Sequence, residues 1–554
     1  MLKIKPGWWL ILILLLATGL RLWGVTKADV ITDEALIAFR SIGLIDFFAS
    51  PYQTTPLEWF SGNLPSWVKL SFHDHPPLVF WIQHFFFSIF GVNLLVLRLP
   101  FVLAGVLSVY LIYLIGRKLF DERVGFFGAL FLTICTYHVW ISRIGLQESF
   151  VILFSLLAIY LFFIALNKEN FWFLWGIVLG LAFLLKYTTF FLPLVFIIYI
   201  LIYQRKVFYN YKFYLALFLA GLVFSPVLIY NLKLFMATGH FDLQFSYFFG
   251  QKVVAWQNLP GKEQIGSFGQ RIIGFPQSLF NNLSVLELVL FITSLISLFY
   301  SWIKENSKSL SFLLILTLGQ ILFFLLVGSS PRFIVAVIPY LALIAGWSLS
   351  RLNIFRFKLR WVIFIVFIIA ELFFCYNSLI ADYPIGPKFL YSQVRKESYL
   401  WGYNQLDNYL DNLLRDKKPA LTLQTNHPFL EEIKSQVLRQ DKIKHKIPAA
   451  ILLIYDANIN SLASLWIFHR RLVYQGWPTV SAETYINQGQ DFFKNLGFKN
   501  FYFIKIKDQH ILQQPEAYQA TAASELVSEL GNISADIIKR PDGREVFSVY
   551  TWEN

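Results

Sequence analysis

The chain has 554 residues, of which 56% are hydrophobic and only 15% are charged, and its mean hydropathy is +0.56. A soluble domain of this size could not expose so apolar a surface, so the sequence predicts an integral membrane protein. The formal net charge of +13 would suggest a nucleic-acid partner in a soluble protein, but basic residues that flank apolar helices explain it more simply.

The N-terminal segment has the basic start and the apolar run of a signal peptide. Arg21, Leu22 and Trp23 stand where small cleavage-site residues would be needed, so we expect an uncleaved first helix. Asp33 and Glu34 follow this helix closely. Two adjacent carboxylates beside lipid are costly to leave without a partner, and they indicate the centre of a membrane-embedded active site.

Apolar runs of membrane-spanning length recur through the first 380 residues and predict about eleven transmembrane helices. They lie at 7–25, 98–116, 124–141, 149–166, 171–186, 188–204, 213–232, 284–303, 310–327, 333–350 and 361–378.

One further apolar segment, from His75 to Gly91, is short and begins with two prolines. If it crossed the membrane, the Lys/Arg-rich connection at 116–123 would lie outside, whereas such loops are usually cytoplasmic. A helix that lies flat on the outer surface avoids this conflict. The basic connections then fall together on the cytoplasmic side, at 116–123, 204–212, 301–308 and 350–360.

The predicted organisation is a membrane domain at 1–379 and a soluble domain at 380–554. The membrane domain has a cytoplasmic N-terminus and external loops at 26–97 and 233–283. The soluble domain contains short β-type runs at 449–456 and 500–508 and a hairpin that turns near Pro541, so we expect an extracytoplasmic α/β fold. It has no catalytic signature, and a lid or a platform for the acceptor is the default interpretation.

On this topology the unusual polar residues of the membrane domain share the external side. They are Asp33 and Glu34; His73, Asp74 and His75 before the flat helix; Arg143 and Glu148; Lys186 and Tyr187; and Arg332.

Each of these residues also has a simpler explanation. Asp33 could cap a helix that starts near Ala35. Lys186 and Arg332 could be flanking cations of apolar helices, although such cations prefer the cytoplasmic side. Arg143 and Glu148 could form a surface ion pair of little energetic value.

The triplet at 73–75 could bind a metal, but consecutive side chains point in different directions and make a poor ligand set. His75 precedes two prolines, so it fits a turn that offers a hydrogen-bond donor to a phosphate. A divalent cation, Mg²⁺ or Mn²⁺, stays open, with Asp33 and Glu148 as its candidate ligands.

Together these groups suit glycosyl transfer from a lipid-linked donor. A carboxylate can take the proton of an attacking hydroxyl, while clustered cations stabilise the charge on a departing phosphate. A sugar on a lipid phosphate would reach such a site from within the bilayer.

Six short motifs occur in a fixed order along the membrane domain. They are Asp-Glu at 33–34, HPPL at 75–78, Arg-Leu-Pro at 98–100, GRKLF at 116–120, SR with a following acid at 142–148 and LLKYTT at 184–189. This ordered set resembles the polytopic membrane glycosyltransferases of the GT-C fold. Their members include the protein O-mannosyltransferases and the lipid A aminoarabinose transferases, and the oligosaccharyltransferase catalytic subunit is a more distant relative.

The resemblance, which covers about residues 1–380, implies a polyprenyl-phosphate sugar as donor and an external active site in the cell membrane. It also implies an inverting single displacement with Asp33 as general base, beside Glu34. Lys186, Arg332 and Arg143 are then candidates for holding the donor phosphate, together with His75. Glu148 stands where the family commonly has Asp, and it joins His73, Asp74 and Tyr187 as a supporting residue. The acceptor would be a protein, a lipid or a glycan.

Two departures limit what the resemblance implies. The aminoarabinose enzymes carry Arg-Tyr soon after Asp-Glu, where this chain has Leu36 and Ile37. The eukaryotic mannosyltransferases insert a sugar-binding-like module that this chain lacks. A transporter and a lipid-linked polysaccharide polymerase or ligase remain alternatives, although a transporter would place its ionisable groups nearer the bilayer midplane.

Overall fold

A computed structural model of the chain describes residues 6–47, 55–60, 64–253, 267–328, 330–352, 358–397, 399–423, 431, 433–435, 438–439, 446–508 and 522–553. The chain forms two compact units. The first, which we call the helical unit, comprises Met1–Val25 and Lys69–Glu397. The second, which we call the sheet unit, comprises Thr26–Val68 and Ser398–Asn554.

The helices of the first 380 residues are numbered in chain order. They are α1 (Pro6–Leu22), α2 (Asp33–Gly43), α3 (Pro56–Trp59), α4 (Leu78–Phe90), α5 (Leu94–Leu119), α6 (Glu122–Ile134), α7 (Thr136–Ile141), α8 (Glu148–Ala165), α9 (Phe171–Phe183), α10 (Phe191–Tyr203), α11 (Tyr211–Thr238), α12 (Leu243–Phe248), α13 (Phe268–Asn282), α14 (Val285–Glu305), α15 (Lys308–Val327), α16 (Pro331–Ile334), α17 (Ile338–Arg351) and α18 (Lys358–Leu379). Short 3₁₀ helices lie at Ser66–Leu70, Tyr187–Phe190, Arg205–Tyr209 and Val335–Val337.

Each of the predicted apolar runs coincides with helix. Within the described residues, seven segments are long and apolar enough to cross a membrane: α5, α8, α11, α14, α15, the segment Pro331–Arg351 and α18. α1, α9 and α10 are shorter apolar helices. The run predicted at 124–141 is divided at Cys135 into α6 and α7. The fold is therefore that of a polytopic α-helical membrane protein.

Small residues let the central helices of the helical unit approach closely. A Cβ atom added at Gly116 of α5 would lie 2.6 Å from Gly125 Cα of α6. One added at Gly346 of α17 would lie 2.5 Å from the Gly128 backbone nitrogen of α6. Helices inside a membrane associate by such close backbone packing, because lipid supplies no hydrophobic driving force between them.

The segment between α11 and α14 differs from the loop predicted at 233–283. Its described part contains α12 and the fifteen-residue helix α13, which begins with a capping box between Ser267 and Gln270. Pro276 lies inside α13 and interrupts the pattern by which the helix could be recognised in the sequence. The segment predicted at 75–91 forms the short apolar helix α4, and its orientation flat on the membrane surface stays a prediction.

The sheet unit also contains α19 (Tyr403–Leu413), α20 (Ser461–Ser464), α21 (Arg470–Gln475), α22 (Ala482–Gln488), α23 (Gln490–Asn495) and α24 (Ala522–Leu530). A π-helical turn at Leu465–His469 joins α20 to α21. The strands are β1 (Lys417–Pro419), β2 (Ile447–Ala449), β3 (Ile451–Tyr455), β4 (Thr479–Ser481), β5 (Asn500–Ile506), β6 (Ala535–Lys539) and β7 (Glu545–Glu553).

The described strands form a five-stranded sheet of order β4-β3-β5-β7-β6 and a separate parallel pair of β1 and β2. β3 is parallel to both β4 and β5, while β7 is antiparallel to β5 and β6. The runs predicted at 449–456 and 500–508 are β3 and β5. The hairpin of β6 and β7 pairs Lys539 with Glu545 and turns through Gly543 at φ +85°, as the turn residues indicate. The C-terminal α/β fold is confirmed.

The sequence-based domain boundaries differ from the units of the structure. The division falls at Glu397 and Ser398 and not at 379/380, and residues 26–68 belong to the sheet unit and not to the membrane domain. The reason is burial of apolar surface, because Leu36 and Phe39 of α2 share a hydrophobic cluster with Leu465 and Val473. The sequence pattern shows that α2 has an apolar face but does not show which part of the chain covers it.

A buried ion-pair network stabilises the sheet unit. The Asp407 carboxylate lies 2.9 Å from Arg470 Nη2 and 2.7 Å from Arg471 Nη1, and it accepts a hydrogen bond from Trp466 Nε1 at 3.1 Å. Burial alone would raise the pKa of Asp407, but the two guanidinium groups outweigh it and lower that pKa.

Asp407→Asn should therefore destabilise the protein by about 3–5 kcal/mol, because two buried guanidinium groups lose their anion. Since the folded pKa is lowered, the same stabilisation in the wild type is present above the ordinary aspartate pKa of about 4 and is lost as the pH falls toward the lowered value. Denaturation of the full-length protein in detergent measures both effects. The half-exposed neighbour Asp411 gives the control, since Asp411→Asn should change stability by less than about 1 kcal/mol.

Candidate functional site

Lys186 and Glu148 form a largely buried ion pair in the helical unit. Lys186 Nζ lies 2.6 Å from Glu148 Oε1, and the two side chains are only 14% and 6% exposed. Glu148 is the first residue of α8, where the helix N-terminus stabilises a negative charge. Lys186 follows α9 and immediately precedes the 3₁₀ turn at Tyr187–Phe190. Glu148 therefore pairs with Lys186 and not with Arg143, the partner considered from the sequence.

The segment that carries Arg332 contacts the same ammonium group. Lys186 Nζ lies 3.7 Å from the centroid of the Phe333 ring, a cation–π distance. Phe333 and Arg332 are neighbours on α16, whose N-terminus is capped by Ser330. The Tyr137 hydroxyl of α7 donates a hydrogen bond to the Pro331 carbonyl oxygen and anchors the segment.

Asp242 links Tyr187 to two further elements. Its buried carboxylate accepts hydrogen bonds from Tyr187 Oη and Asn231 Nδ2, both at 2.9 Å, and from the Phe245 backbone nitrogen at 2.7 Å. The Leu243 backbone N–H donates to the His73 carbonyl oxygen at 2.8 Å. Burial raises the pKa of Asp242, and the hydrogen bonds from Asn231, Phe245 and Tyr187 oppose that effect.

Residues His73 to His75 form a compact turn in front of α4. The Asp74 carboxylate lies 3.0 Å from His75 Nδ1 and 3.9 Å from His73 Nε2. The Phe72 N–H donates to the His75 carbonyl oxygen at 3.2 Å and closes the turn, as the two prolines predict. His75 is the accessible member, with 31% of its side chain exposed against 1% for His73. It is the histidine that can reach a ligand.

These contacts gather five separated segments into one polar cluster, which we call the lysine cluster. The Leu78 N–H at the start of α4 donates to the Leu184 carbonyl oxygen at 3.0 Å, which joins the histidine turn to the corner that carries Lys186. The lysine cluster consists of His73, Asp74, His75, Glu148, Lys186, Tyr187, Asp242 and the Arg332–Phe333 segment. An apolar patch that includes Leu78, Leu184, Phe224 and Phe245 adjoins Tyr187. The arrangement can present positive charge and hydrogen-bond donors to an anion.

Arg143 has a different environment. Its Nη1 donates to the carbonyl oxygens of Leu20 at 2.7 Å and Arg21 at 3.4 Å, and its Nη2 donates to that of Leu379 at 3.5 Å. These carbonyls belong to the last turns of α1 and α18, where helices leave backbone oxygens without internal partners. The described contacts therefore give Arg143 a structural role, and phosphate binding by Arg143 stays a prediction.

Asp33 and Glu34 begin α2 and belong to the sheet unit. The N-cap is Thr32, whose hydroxyl accepts from the Glu34 N–H, so the explanation of Asp33 as the cap is wrong. Asp33 is half-buried at the first helical position, whereas Glu34 is 1% exposed. Of the two carboxylates, Asp33 is the one with access to solvent and hence to a substrate. Its role as the base stays a prediction.

Glu148 does not suit a divalent cation as it is placed. The Lys186 ammonium lies at one of its oxygens, and a bound cation would be repelled by that charge. The proposal of Asp33 as a metal ligand is not affected by this contact.

Several polar residues that are buried in the structure were not identified from the sequence. Asp242 and Asn231 bond to each other across the end of α11, and the polar Asn231 inside an apolar run was the available signal. Glu287 and Glu371, each at most 2% exposed, lie within α14 and α18. Ser284 accepts from the Glu287 N–H at 2.9 Å and donates to the Glu371 carboxylate. Two acidic side chains therefore lie buried within apolar helices of the helical unit.

Comparison with known proteins agrees with this architecture. The family model described as dolichyl-phosphate-mannose-protein mannosyltransferase matches residues 74–230, which include Asp74, His75, Glu148 and Lys186. YycA of Bacillus subtilis (strain 168), a protein named as an inferred mannosyltransferase, is 30% identical over 201 residues. That match covers 35% of this chain and only 27% of the length of YycA.

Two solved structures share the fold along nearly the whole chain. ArnT from Cupriavidus metallidurans bound to undecaprenyl phosphate is 12% identical at a TM-score of 0.55, covering 99% of this chain and 98% of ArnT. The Archaeoglobus fulgidus oligosaccharyltransferase in complex with zinc and sulfate is 15% identical at a TM-score of 0.52, covering 97% of this chain and 72% of that enzyme. The chain is thus a polytopic membrane protein with the fold of the GT-C glycosyltransferases, and over residues 74–230 it matches the dolichyl-phosphate-mannose-protein mannosyltransferase family.

Proposed function

We propose that this protein is a membrane glycosyltransferase that moves a sugar from a polyprenyl-phosphate donor to a hydroxyl acceptor at the extracytoplasmic face. The observation that carries the proposal is the lysine cluster, in which the largely buried Lys186 lies beside the segment of Arg332 and the turn at 73–75, whose His75 is accessible. It occurs in a chain that shares the fold of ArnT, whose structure contains undecaprenyl phosphate.

The lysine cluster would bind the donor phosphate. Lys186, Arg332 and His75 offer cationic and neutral donors, with Arg143 as a further candidate. Preorganised donors stabilise the charge that develops on a leaving phosphate far better in a dry site than in water. Tyr187, held by Asp242 at 2.9 Å, would fix the corner that carries Lys186. His73, Asp74 and Glu148 support the same groups.

Asp33 would act as the general base, with Glu34 beside it. The acceptor oxygen attacks the anomeric carbon, the bond from that carbon to the phosphate oxygen breaks, and Asp33 takes the hydroxyl proton. Polyprenyl phosphate leaves with the electron pair of the broken bond. A single displacement of this kind inverts the configuration of the sugar. No step of this scheme uses a divalent cation. A Mg²⁺ or Mn²⁺ ion held by Asp33 is a separate proposal, and it requires that a chelator abolish turnover.

The decisive assay uses the purified full-length protein and a panel of polyprenyl-phosphate sugars, with hexoses and pentoses as the sugars. We expect release of polyprenyl phosphate with at least one donor, and a product of inverted configuration. Protein, lipid and glycan acceptors are compared with the best donor. Failure with every lipid donor, together with turnover of a nucleotide sugar, would contradict the proposal.

The same assay separates the alternative functions. A transporter should move substrate across a vesicle membrane without cleaving the donor. A lipid-linked polysaccharide polymerase or ligase should require a diphosphate-linked donor, which the panel includes as a separate arm.

We also propose an orientation in the cell membrane with the N-terminus in the cytoplasm and the sheet unit outside. The support is the basic composition of the connections at 116–123, 204–212, 301–308 and 350–360. A single cysteine placed at 116–123 should react with an impermeant thiol reagent only after the membrane is opened. Reaction in intact cells would overturn this orientation.

A further inference from the structure

Asp29, four residues before Asp33, is bound by the sheet unit to which both residues belong. Its carboxylate accepts hydrogen bonds from the backbone N–H groups of Trp401 at 2.5 Å, Gly402 at 3.0 Å and Asn404 at 2.8 Å. These groups lie at the N-terminus of α19, where helical N–H groups have no partner within the helix. Asp29 therefore caps a helix more than 370 residues away in sequence.

Asn404 completes the contact in the opposite direction. Its side-chain amide donates to the carbonyl oxygens of Thr26 and Lys27 at 3.2 Å and of Ala28 at 2.9 Å. The Asp29 N–H in turn donates to the Tyr399 carbonyl oxygen at 2.8 Å. We call this reciprocal set of bonds the Asp29 clasp. It fixes the backbone immediately in front of α2.

A second contact fixes the body of α2. The Tyr474 hydroxyl donates to the Phe39 carbonyl oxygen at 2.8 Å, and Leu36 and Phe39 pack with Leu465 and Val473. The approach is close, because a Cβ atom added at Gly43 would lie 2.6 Å from the Tyr474 ring. α2 is thereby held at both sides of Asp33, by the clasp before it and by Tyr474 after it.

We propose that the sheet unit positions the catalytic base, and that Asp29 and Tyr474 are the positioning residues for Asp33. The inference rests on the proposed function of Asp33. A general base must be held within a few tenths of an ångström of its working position, and a displacement of about 1 Å can cost a hundredfold in rate. A lid or an acceptor platform, the roles expected from the sequence, would not require the Asp29 clasp to hold α2.

Asp29→Asn and Tyr474→Phe, made in the full-length protein, test whether these two residues position α2 and Asp33. Asparagine would turn its NH₂ group toward backbone N–H donors and open the clasp, while phenylalanine removes only the hydroxyl of Tyr474. We expect kcat to fall by about tenfold or more in Asp29→Asn and by a smaller factor in Tyr474→Phe, with the donor KM unchanged. Amide hydrogen exchange over 33–43 should accelerate in the same order.

Tyr409→Phe is the matched control. Tyr409 lies on α19, the helix that Asp29 caps. Its hydroxyl donates a hydrogen bond of 2.8 Å to Asp536, a contact that does not involve α2. The control should leave both kcat and the exchange of 33–43 unchanged. If Asp29→Asn prevents folding, Tyr474→Phe alone decides the question, because it leaves the clasp intact.

Two results would overturn the inference. Exchange over 33–43 that stays slow in both variants would show that these residues do not hold α2. Faster amide hydrogen exchange with an unchanged kcat would show that the fixed position of α2 does not matter for the reaction. Asp33→Asn distinguishes failure of the proposed function from failure of this inference. Full activity in that variant would show that Asp33 is not the base, whereas the hydrogen-exchange measurements on α2 would stand.

Discussion

Asp33→Asn is expected to reduce transfer by a factor of about a hundred or more, because the attacking hydroxyl loses its proton acceptor. The fold should survive, since Thr32 caps α2 and Asp33 is only half-buried. Binding of polyprenyl phosphate should also survive, because that function is assigned to the lysine cluster. Turnover and binding by the purified variant measure the two expectations separately.

Glu34→Gln is the companion variant for the base. Glu34 has 1% exposure, so the change should affect stability more than proton transfer. Unchanged turnover in Asp33→Asn would remove Asp33 from the mechanism, and a selective loss in Glu34→Gln at normal stability would transfer the role to Glu34.

Lys186→Met should produce the second large effect, through two separable causes. It leaves the Glu148 carboxylate buried without its partner, which costs about 3–5 kcal/mol of stability. It also removes a positive charge from the proposed phosphate site, which should lower kcat/KM by about a hundredfold. Unfolding in detergent and steady-state kinetics distinguish the two.

The double variant Lys186→Met with Glu148→Gln separates structure from function. Neutralising Glu148 should restore most of the stability, because no buried charge is left unpaired, while the loss in kcat/KM should persist. Lys212→Met is the control, since Lys212 pairs with exposed Glu169 at 3.7 Å and such a pair contributes little. Recovery of kcat/KM in the double variant would reduce Lys186 to a structural partner of Glu148.

The sequence predicted those features that depend on local pattern or on length. Apolar runs located the membrane helices, because a helix satisfies its backbone polar groups within one continuous segment even in lipid. The prolines after His75 located the turn in front of α4, and Gly543 marked the turn of the C-terminal hairpin. Lys186 and the turn at 73–75 were selected by residue type, and the structure shows that both belong to the lysine cluster.

The features that depend on distant pairing could not be predicted. Glu148 meets Lys186 and not Arg143, because Arg143 is held by the ends of α1 and α18. Asp242 looked like an ordinary loop residue, since nothing in its own segment shows that Tyr187 and Asn231 donate to it. The placement of α2 in the sheet unit could not be predicted either, because an apolar helix face can pack against many different parts of a chain.

The Asp29 clasp also sets an order of events during synthesis. Asp29 leaves the ribosome 372 residues ahead of Trp401, which at about 5–20 residues per second is a delay of roughly 20–75 s. During that interval Asp29 and α2 have been made, but the backbone N–H groups of α19 that bind Asp29 do not yet exist. A nascent chain therefore contains Asp33 before the Asp29 clasp can hold α2 in place, and on the proposed function activity should arise only after α19 has been made and folded.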